Sequence, residues 1–181
     1  LDRHLGYFSQ GGLGLPDPAY YARTDADTQA LVARYADYIR KILVLTGVAA
    51  KDLERETALV LDLEKRIAAS ARPLVELRDP KTNFAPVATA DLGKQYRNLQ
   101  LDAFLKAQGV SDDTVSMANP AMFGQLDALV GGLKPAQWKT YLRWRVGDAM
   151  APHLAKPWRD AAFDFRGKIL LGQAEPAPRW Q

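Results

Sequence analysis

From residue 25 onward, apolar side chains recur every three or four positions, a spacing that gathers them on one face only if the chain is helical. Asp25 or Asp27 can cap a first helix, whose apolar face reads Leu31, Tyr35, Tyr38, Ile39, Ile42 and Leu45 and which ends at Gly47. A second helix is expected from about Lys51 to Arg72, with Leu53, Val60, Leu63 and Ile67 on one face. Glu64 and Lys65 fall in its solvated portion, and Pro73 ends it. Two long helices joined by a short turn at Gly47 are expected to pack antiparallel. No period-two alternation persists for more than a few residues, so a large sheet is not expected.

Upstream, Gly11-Gly12-Leu13-Gly14-Leu15-Pro16 reads as a tight loop, because its glycines reach positive φ and Pro16 blocks a regular continuation. The middle of the chain is more broken. Thr89 with Asp91 reads as the cap of a brief helix carrying Leu92 and Tyr96. Leu101, Phe104 and Leu105 mark another short helix, stopped by Gly109, and Val115 to Met117 reads as a small extended piece. Asn119-Pro120 is a cap followed by proline at the first helical position, opening a helix with Met122, Phe123, Leu126 and Leu129. Lys134-Pro135 and Lys156-Pro157 repeat the device. The first of these opens a helix with Trp138, Tyr141, Leu142, Arg145 and Ala149; the second carries Trp158, Ala161, Phe165 and Ile169 up to Gly172. Trp138, Tyr141, Leu142 and Phe165 are expected in the core. The fold class is therefore mostly α, six or seven helices with two long antiparallel ones and irregular loops.

Composition narrows the chemistry. The chain has 181 residues and no cysteine, which excludes disulfides, thiolate metal sites and cysteine nucleophiles together. A net charge of +3 is too small an excess to argue for nucleic acid. The longest nearly apolar run, Ile42 to Ala50, is far short of the roughly 20 residues a membrane span needs. No basic, apolar, small-residue stretch opens the chain, so a signal peptide is not expected. The abrupt start at Leu1, and a stop at Gln181 directly after Pro176, Pro178 and Trp180, read as a piece of something longer.

The two histidines, His4 and His153, are far apart, and neither has a second histidine at helical spacing; each reads as a surface residue without metal. Gly12-Leu13-Gly14 lacks the third glycine of a dinucleotide fingerprint, having Pro16 and Asp17 in that place, and reads as a structural turn. The acid pairs Asp112-Asp113 and Glu54/Glu56 read as cap and solvated-face residues. Trp138, Tyr141, Trp144, Trp158, Phe163 and Phe165 could form a ligand-stacking stripe, although such spacing usually marks core. Arg143 and Arg145, interleaved with Trp144, could dock a charged partner, which would suit a free-standing helical interaction module. No catalytic, cofactor-binding or metal-binding residue is singled out.

Several strings taken together are more specific than any one alone. Gly12-Leu13-Gly14-Leu15-Pro16 followed by Tyr20-Tyr21 resembles the Gly-Leu-Gly-Leu-Pro…Tyr-Tyr segment of the neprilysin and endothelin-converting-enzyme family of zinc metallopeptidases. Leu63-Glu64-Lys65-Arg66-Ile67-Ala68 resembles its Leu-Glu-x-x-Ile-Ala helix, and Arg78-Asp79-Pro80 its Arg-Asp/Asn-Pro turn. Tyr141-Leu142-Arg143-Trp144-Arg145 resembles its Tyr-Leu-x-Trp-Arg helix, and Phe163 to Gly172, with Gln173 and Pro178-Arg179-Trp180, its closing run. The likeness covers nearly the whole chain in order. Asn83-Phe84 departs from the Tyr-Asn pair that many members carry after the turn. The lack of cysteines is similar to bacterial members.

The resemblance implies an enzyme whose zinc site is built from His-Glu-x-x-His and Glu-x-x-x-Asp, neither of which occurs here. The expectation is that residues 1–181 form a single helical, non-catalytic domain fragment, with the catalytic zinc domain outside the chain. In such enzymes the helical domain is similar to a lid over a chamber that admits peptides and excludes folded proteins. The resemblance thus implies a zinc metalloendopeptidase as parent, peptide substrates, the missing catalytic domain as a partner, and an extracytoplasmic setting. The fragment alone is expected to be inactive and to hold no zinc, and it is expected to self-associate.

Overall fold

A computed structural model describes residues 5–176; His4, Pro178, Arg179 and Trp180 lie outside the described residues. The chain divides into two compact units. One combines the N-terminal segment up to Ala22 with Glu64–Leu133, and the other combines Arg23–Leu63 with the chain from Lys134 onward.

The unit that begins at Arg23 is helical among its described residues. Helix α1 (Ala26–Leu45) starts at Asp25, whose carboxylate accepts from the Thr28 amide at 3.0 Å. That bond, with the Arg23 guanidinium beside it, holds the Asp25 carboxyl down at about 2. Gly47, at φ +87°, turns the chain out of α1 into α2 (Ala50–Ala68), and Arg40 closes the hairpin by donating to both carboxylate oxygens of Glu54. The second helix is shorter than its apolar pattern suggested. The Ser70 and Ala71 amides reach back only three residues, to Ile67 and Ala68, so the last turn tightens and stops before Pro73.

The main partners of α1 are α7 (Pro135–Met150) and α8 (Lys156–Ala162). At Gly147 a methyl group would stand 2.7 Å from the Ile42 Cγ2 atom, so glycine is what lets α7 approach α1 this closely. Beyond α8 the helix widens into a π-helical stretch over Phe163–Leu170, which stops before Gly172, φ +65°. This arrangement encloses an aromatic cluster. The Trp144 indole stands edge-on to both Tyr35 and Tyr38, with centroids 5.8 and 5.3 Å away, and Tyr38 stacks on Phe165 at 5.2 Å. Tyr141 and Phe165 are buried as expected. Leu142 is not: it is 55% exposed, and Trp138 is only half-buried. Two residues apart on a helix means roughly 200° around its axis, so Leu142 and the enclosed Trp144 must point opposite ways.

The other unit holds a three-stranded sheet. Strand β1 (Gly6–Phe8) runs parallel to β3 (Thr114–Met117), and β2 (Pro86–Ala88) pairs antiparallel with β3 on its other side. Only β3 was foreseen; three-residue strands are too short to show a period. Around the sheet lie α3 (Pro80–Asn83), α4 (Thr89–Gln95), α5 (Leu101–Ala107) and α6 (Pro120–Gly132). Leu92, Tyr96, Leu101, Leu105, Val115, Met117 and Phe123 form the core. Thr89 does not cap α4 as expected: Ala88 holds the cap position and Thr89 is already the first helical residue, its hydroxyl donating to the Asp112 carbonyl at 2.8 Å. Asn119 does cap α6, accepting from the Met122 amide at 3.1 Å.

Phe165 is 2% exposed and touches two other rings. Phe165→Ala should therefore lower stability by about 3–5 kcal/mol, read as a shifted denaturant midpoint at unchanged slope. An unmoved midpoint would mean that this ring is not in the core.

Candidate functional site

Each motif residue has a physical task in the folded chain. In the Gly-Leu-Gly-Leu-Pro loop, Gly12 adopts φ +88°. The amides of Gly14 and Leu15 then point at one place, where both meet the Tyr21 hydroxyl, at 3.2 and 3.0 Å. The Tyr21 hydroxyl donates to the Glu64 Oε2 atom at 2.6 Å, and the Gly14 amide also reaches that oxygen at 3.4 Å. Glu64 has no solvent exposure. This corrects the expectation of a solvated Glu64. The position follows from helical geometry, since Glu64 lies four residues after Val60 and three before Ile67, within the apolar stripe. Burial, and then the neighbouring carboxylate, push the Tyr21 hydroxyl far above its ordinary range. Two convergent amides are what an anion-binding loop offers a phosphate. Here they are occupied by the chain's own side chains, which agrees with a structural turn.

A second polar node surrounds Asn119. Besides capping α6, its amide donates to the Gln10 Oε1 atom and to the Ser70 carbonyl, both at 3.0 Å. Gln10 in turn brackets the Arg72 backbone, accepting from its amide and donating to its carbonyl. The Arg78-Asp79-Pro80 turn works as a helix start: the Asp79 carboxylate accepts from the Lys81 amide, and Pro80 stands first in α3. Asn83, where the sequence departs from the resembled pattern, is fully employed, accepting from Arg72 Nη2 and donating to the Leu77 carbonyl, both at 2.6 Å. Phe84 beside it is exposed.

In the helical unit the Tyr-Leu-Arg-Trp-Arg segment serves packing. Trp144 is wholly enclosed, so it can neither stack on a ligand nor dock a partner. One turn later Asp148 is 8% exposed and accepts from the Tyr38 hydroxyl at 2.7 Å and from Arg166 Nε at 2.9 Å. Arg166 completes a two-pronged pair through Nη2 and lies over the Tyr38 ring. Burial, with Asp148 beside it, raises the Tyr38 hydroxyl. Sequence reasoning missed Asp148, although its place four residues after Trp144 put it on the buried face.

A cavity of about 790 Å³ is lined by His153, Lys156, Arg159, Arg166, Asp160 and Phe163 among others. Three cations and one carboxylate do not suit a divalent ion, and Asp160 is already held by Lys156 at 2.5 Å. Among the described residues no group of three or more His, Cys, Asp or Glu side chains could hold a metal ion. These residues do not fit a zinc site. Asp112 and Asp113 are exposed, and their carbonyls accept from Thr89. Glu54 is paired with Arg40, whose bond draws the carboxyl below its ordinary range. Among the described residues no helix is long and apolar enough to cross a membrane.

A family model described as peptidase family M13 matches residues 1–181. The chain belongs to this family. It corresponds to the N-terminal region of its neprilysin-like zinc metallopeptidases. Neprilysin-3 of Drosophila melanogaster is 26% identical over 191 residues, covering 99% of this chain and 24% of that protein. Endothelin-converting enzyme-like 1 of Mus musculus is 26% identical over 180 residues, covering 96% of this chain and 23% of that protein. Among solved structures, Mycobacterium tuberculosis zinc metalloprotease Zmp1 in complex with an inhibitor superposes with a TM-score of 0.86 at 24% identity, over 98% of this chain and 27% of that one. PepO from Lactobacillus rhamnosis gives 0.77 at 20% identity, over 92% and 26%. At those identities the likeness is one of fold. The chain thus spans about a quarter of the length of the relatives it matches.

The strings that carried the resemblance therefore mark a loop lock, a helix start and an aromatic core. Tyr21→Phe should cost about 1–3 kcal/mol near neutral pH, since it strips Glu64 and two amides of the hydroxyl they share. Because the folded-state hydroxyl ionises later than the unfolded one, its contribution is complete below about pH 10 and is lost above it. The stability gap between wild type and Tyr21→Phe should accordingly narrow as pH rises beyond about 10, measured by denaturant unfolding at stepped pH.

Proposed function

We propose that residues 1–181 are a helical, non-catalytic domain fragment of an M13 zinc metalloendopeptidase, and that this segment is part of a lid enclosing the substrate chamber. The observation that carries the reading is the family match across the whole chain, in a chain a quarter as long as its relatives. Support also comes from what the motif residues do: Gly14, Leu15, Tyr21 and Glu64 are bound to one another, and Trp144 is sealed in a core. None of them is available to a substrate.

A lid acts by shape. Rigid helices around a chamber set the size of what enters and keep bulk water from the reacting bond, and this needs no acid or base of its own. Zinc and the groups that bind it would belong to the missing catalytic domain, the segment's main partner, with peptides as the substrates of the parent. An extracytoplasmic setting for the parent rests on the resemblance alone.

The test compares the longer polypeptide with the 181-residue chain. The longer protein should cleave unstructured peptides and leave a tightly folded protein uncut. The 181-residue chain should cleave neither and should retain no zinc after dialysis, measured by elemental analysis. One firmly held zinc per 181-residue chain, or peptide cleavage by it, would overturn the reading.

A further inference from the structure

Helix α7 is apolar on both sides. Its inner face carries Thr140, Tyr141, Trp144, Gly147 and Asp148, all buried. Directly opposite, Leu142, Val146, Ala149 and Met150 face outward, with Leu142, Val146 and Met150 exposed by 55, 62 and 46%. Leu142, Val146 and Met150 recur every four residues, so they form a continuous ridge along two turns. A helix with apolar residues all round belongs in the interior of an assembly, because a helix at a surface turns polar residues to water. Lys139 and Arg143 flank this ridge, and neither makes an ion pair among the described residues. The one acid in α7, Asp148, is buried and taken by Arg166.

That charge pattern says what can cover the ridge. Two copies meeting ridge to ridge would bring the same cations together, with no exposed acid on α7 to meet them, a repulsive pairing. An apolar helix with acidic flanks meets both the ridge and the charges. About three quarters of the length of the relatives lies outside the matched region, which gives the polypeptide ample chain to supply it. We propose that the outward ridge of α7, with Lys139 and Arg143 beside it, seats an amphipathic helix with acidic flanks from the same polypeptide, outside residues 1–181. This rests on the reading of the chain as a segment of a longer peptidase.

Residues 1–181 hold no cysteine, so a thiol introduced there is the only one in this segment, and any cysteine in the rest of the longer polypeptide is first replaced by serine. Val146→Cys places a single thiol on the ridge, and Gln108→Cys, at an exposed position, serves as control. In the 181-residue chain the ridge thiol should react with a maleimide at the control's rate at every protein concentration. In the longer polypeptide it should react at least about tenfold more slowly than the control, as expected for a thiol reached only by local opening. Adding Lys139→Glu with Arg143→Glu should return it to the fast rate. Equal labelling in both proteins would overturn the proposal. Protection that grows with concentration of the 181-residue chain would do so in favour of a second copy, and protection insensitive to charge reversal would refute the acidic flank. Peptide cleavage by the longer protein is scored separately: activity with a freely labelled ridge sinks this inference and leaves the peptidase reading standing.

Discussion

A carboxyl group with no access to water has to be supplied with donors by the chain, and meeting that demand at Glu64 organises the N-terminal loop. The Tyr21 hydroxyl and the Gly14 amide both reach it, and the same hydroxyl receives the Gly14 and Leu15 amides. Four groups separated by as many as 50 residues are thereby tied into one knot. Removing the shared hydroxyl takes a donor from a buried carboxylate and an acceptor from two amides, which costs more than the loss of a bond exposed to water. Gly12 has to take up a left-handed conformation for the two amides to converge, and Leu15, 2% exposed, plugs the loop on its apolar side.

The helical unit is built on the same principle with a different acid. Asp148 is enclosed on α7 and is met by a hydroxyl from α1 and a guanidinium from the π-helical stretch. The cluster of Tyr35, Tyr38, Trp144 and Phe165 packs around that pair. The rings bring the apolar surface, and the polar triad fixes one member of the cluster, since Tyr38 stacks on Phe165 while its hydroxyl donates to Asp148. Buried polar contacts of this kind are satisfied or costly, with little between.

How much of this was legible in the sequence depended on whether a residue's role was set locally. Asp25, Asn119-Pro120, Gly47 and Gly172 announced helix starts and stops, because capping is settled within a few residues. Leu142 was misplaced because composition marked it as core, whereas the helical angle set it opposite Trp144. Glu64 and Asp148 were missed for the converse reason. Charge suggested solvent, while their spacing from Val60, Ile67 and Trp144 set both on apolar faces, and their donors come from segments far away in the chain. Strands β1 and β2 exist only through pairing with β3, so nothing within their three residues could reveal them.

The division of roles among the motif strings bears on how this chain can share the fold of a zinc metalloprotease region at 24% identity. Apolar positions tolerate exchange for other apolar groups of similar volume, which leaves wide latitude in sequence. A buried carboxyl fed by a particular hydroxyl and a backbone amide tolerates very little, since each partner is fixed in chemistry and in geometry. The strings legible as a family likeness are the ones in which such contacts, tight glycine turns or an enclosed tryptophan stand. They are recognisable because they lock the scaffold. For the same reason the polar groups of Gly14, Leu15, Tyr21 and Glu64 are spent on one another, and the Trp144 ring is spent on the core.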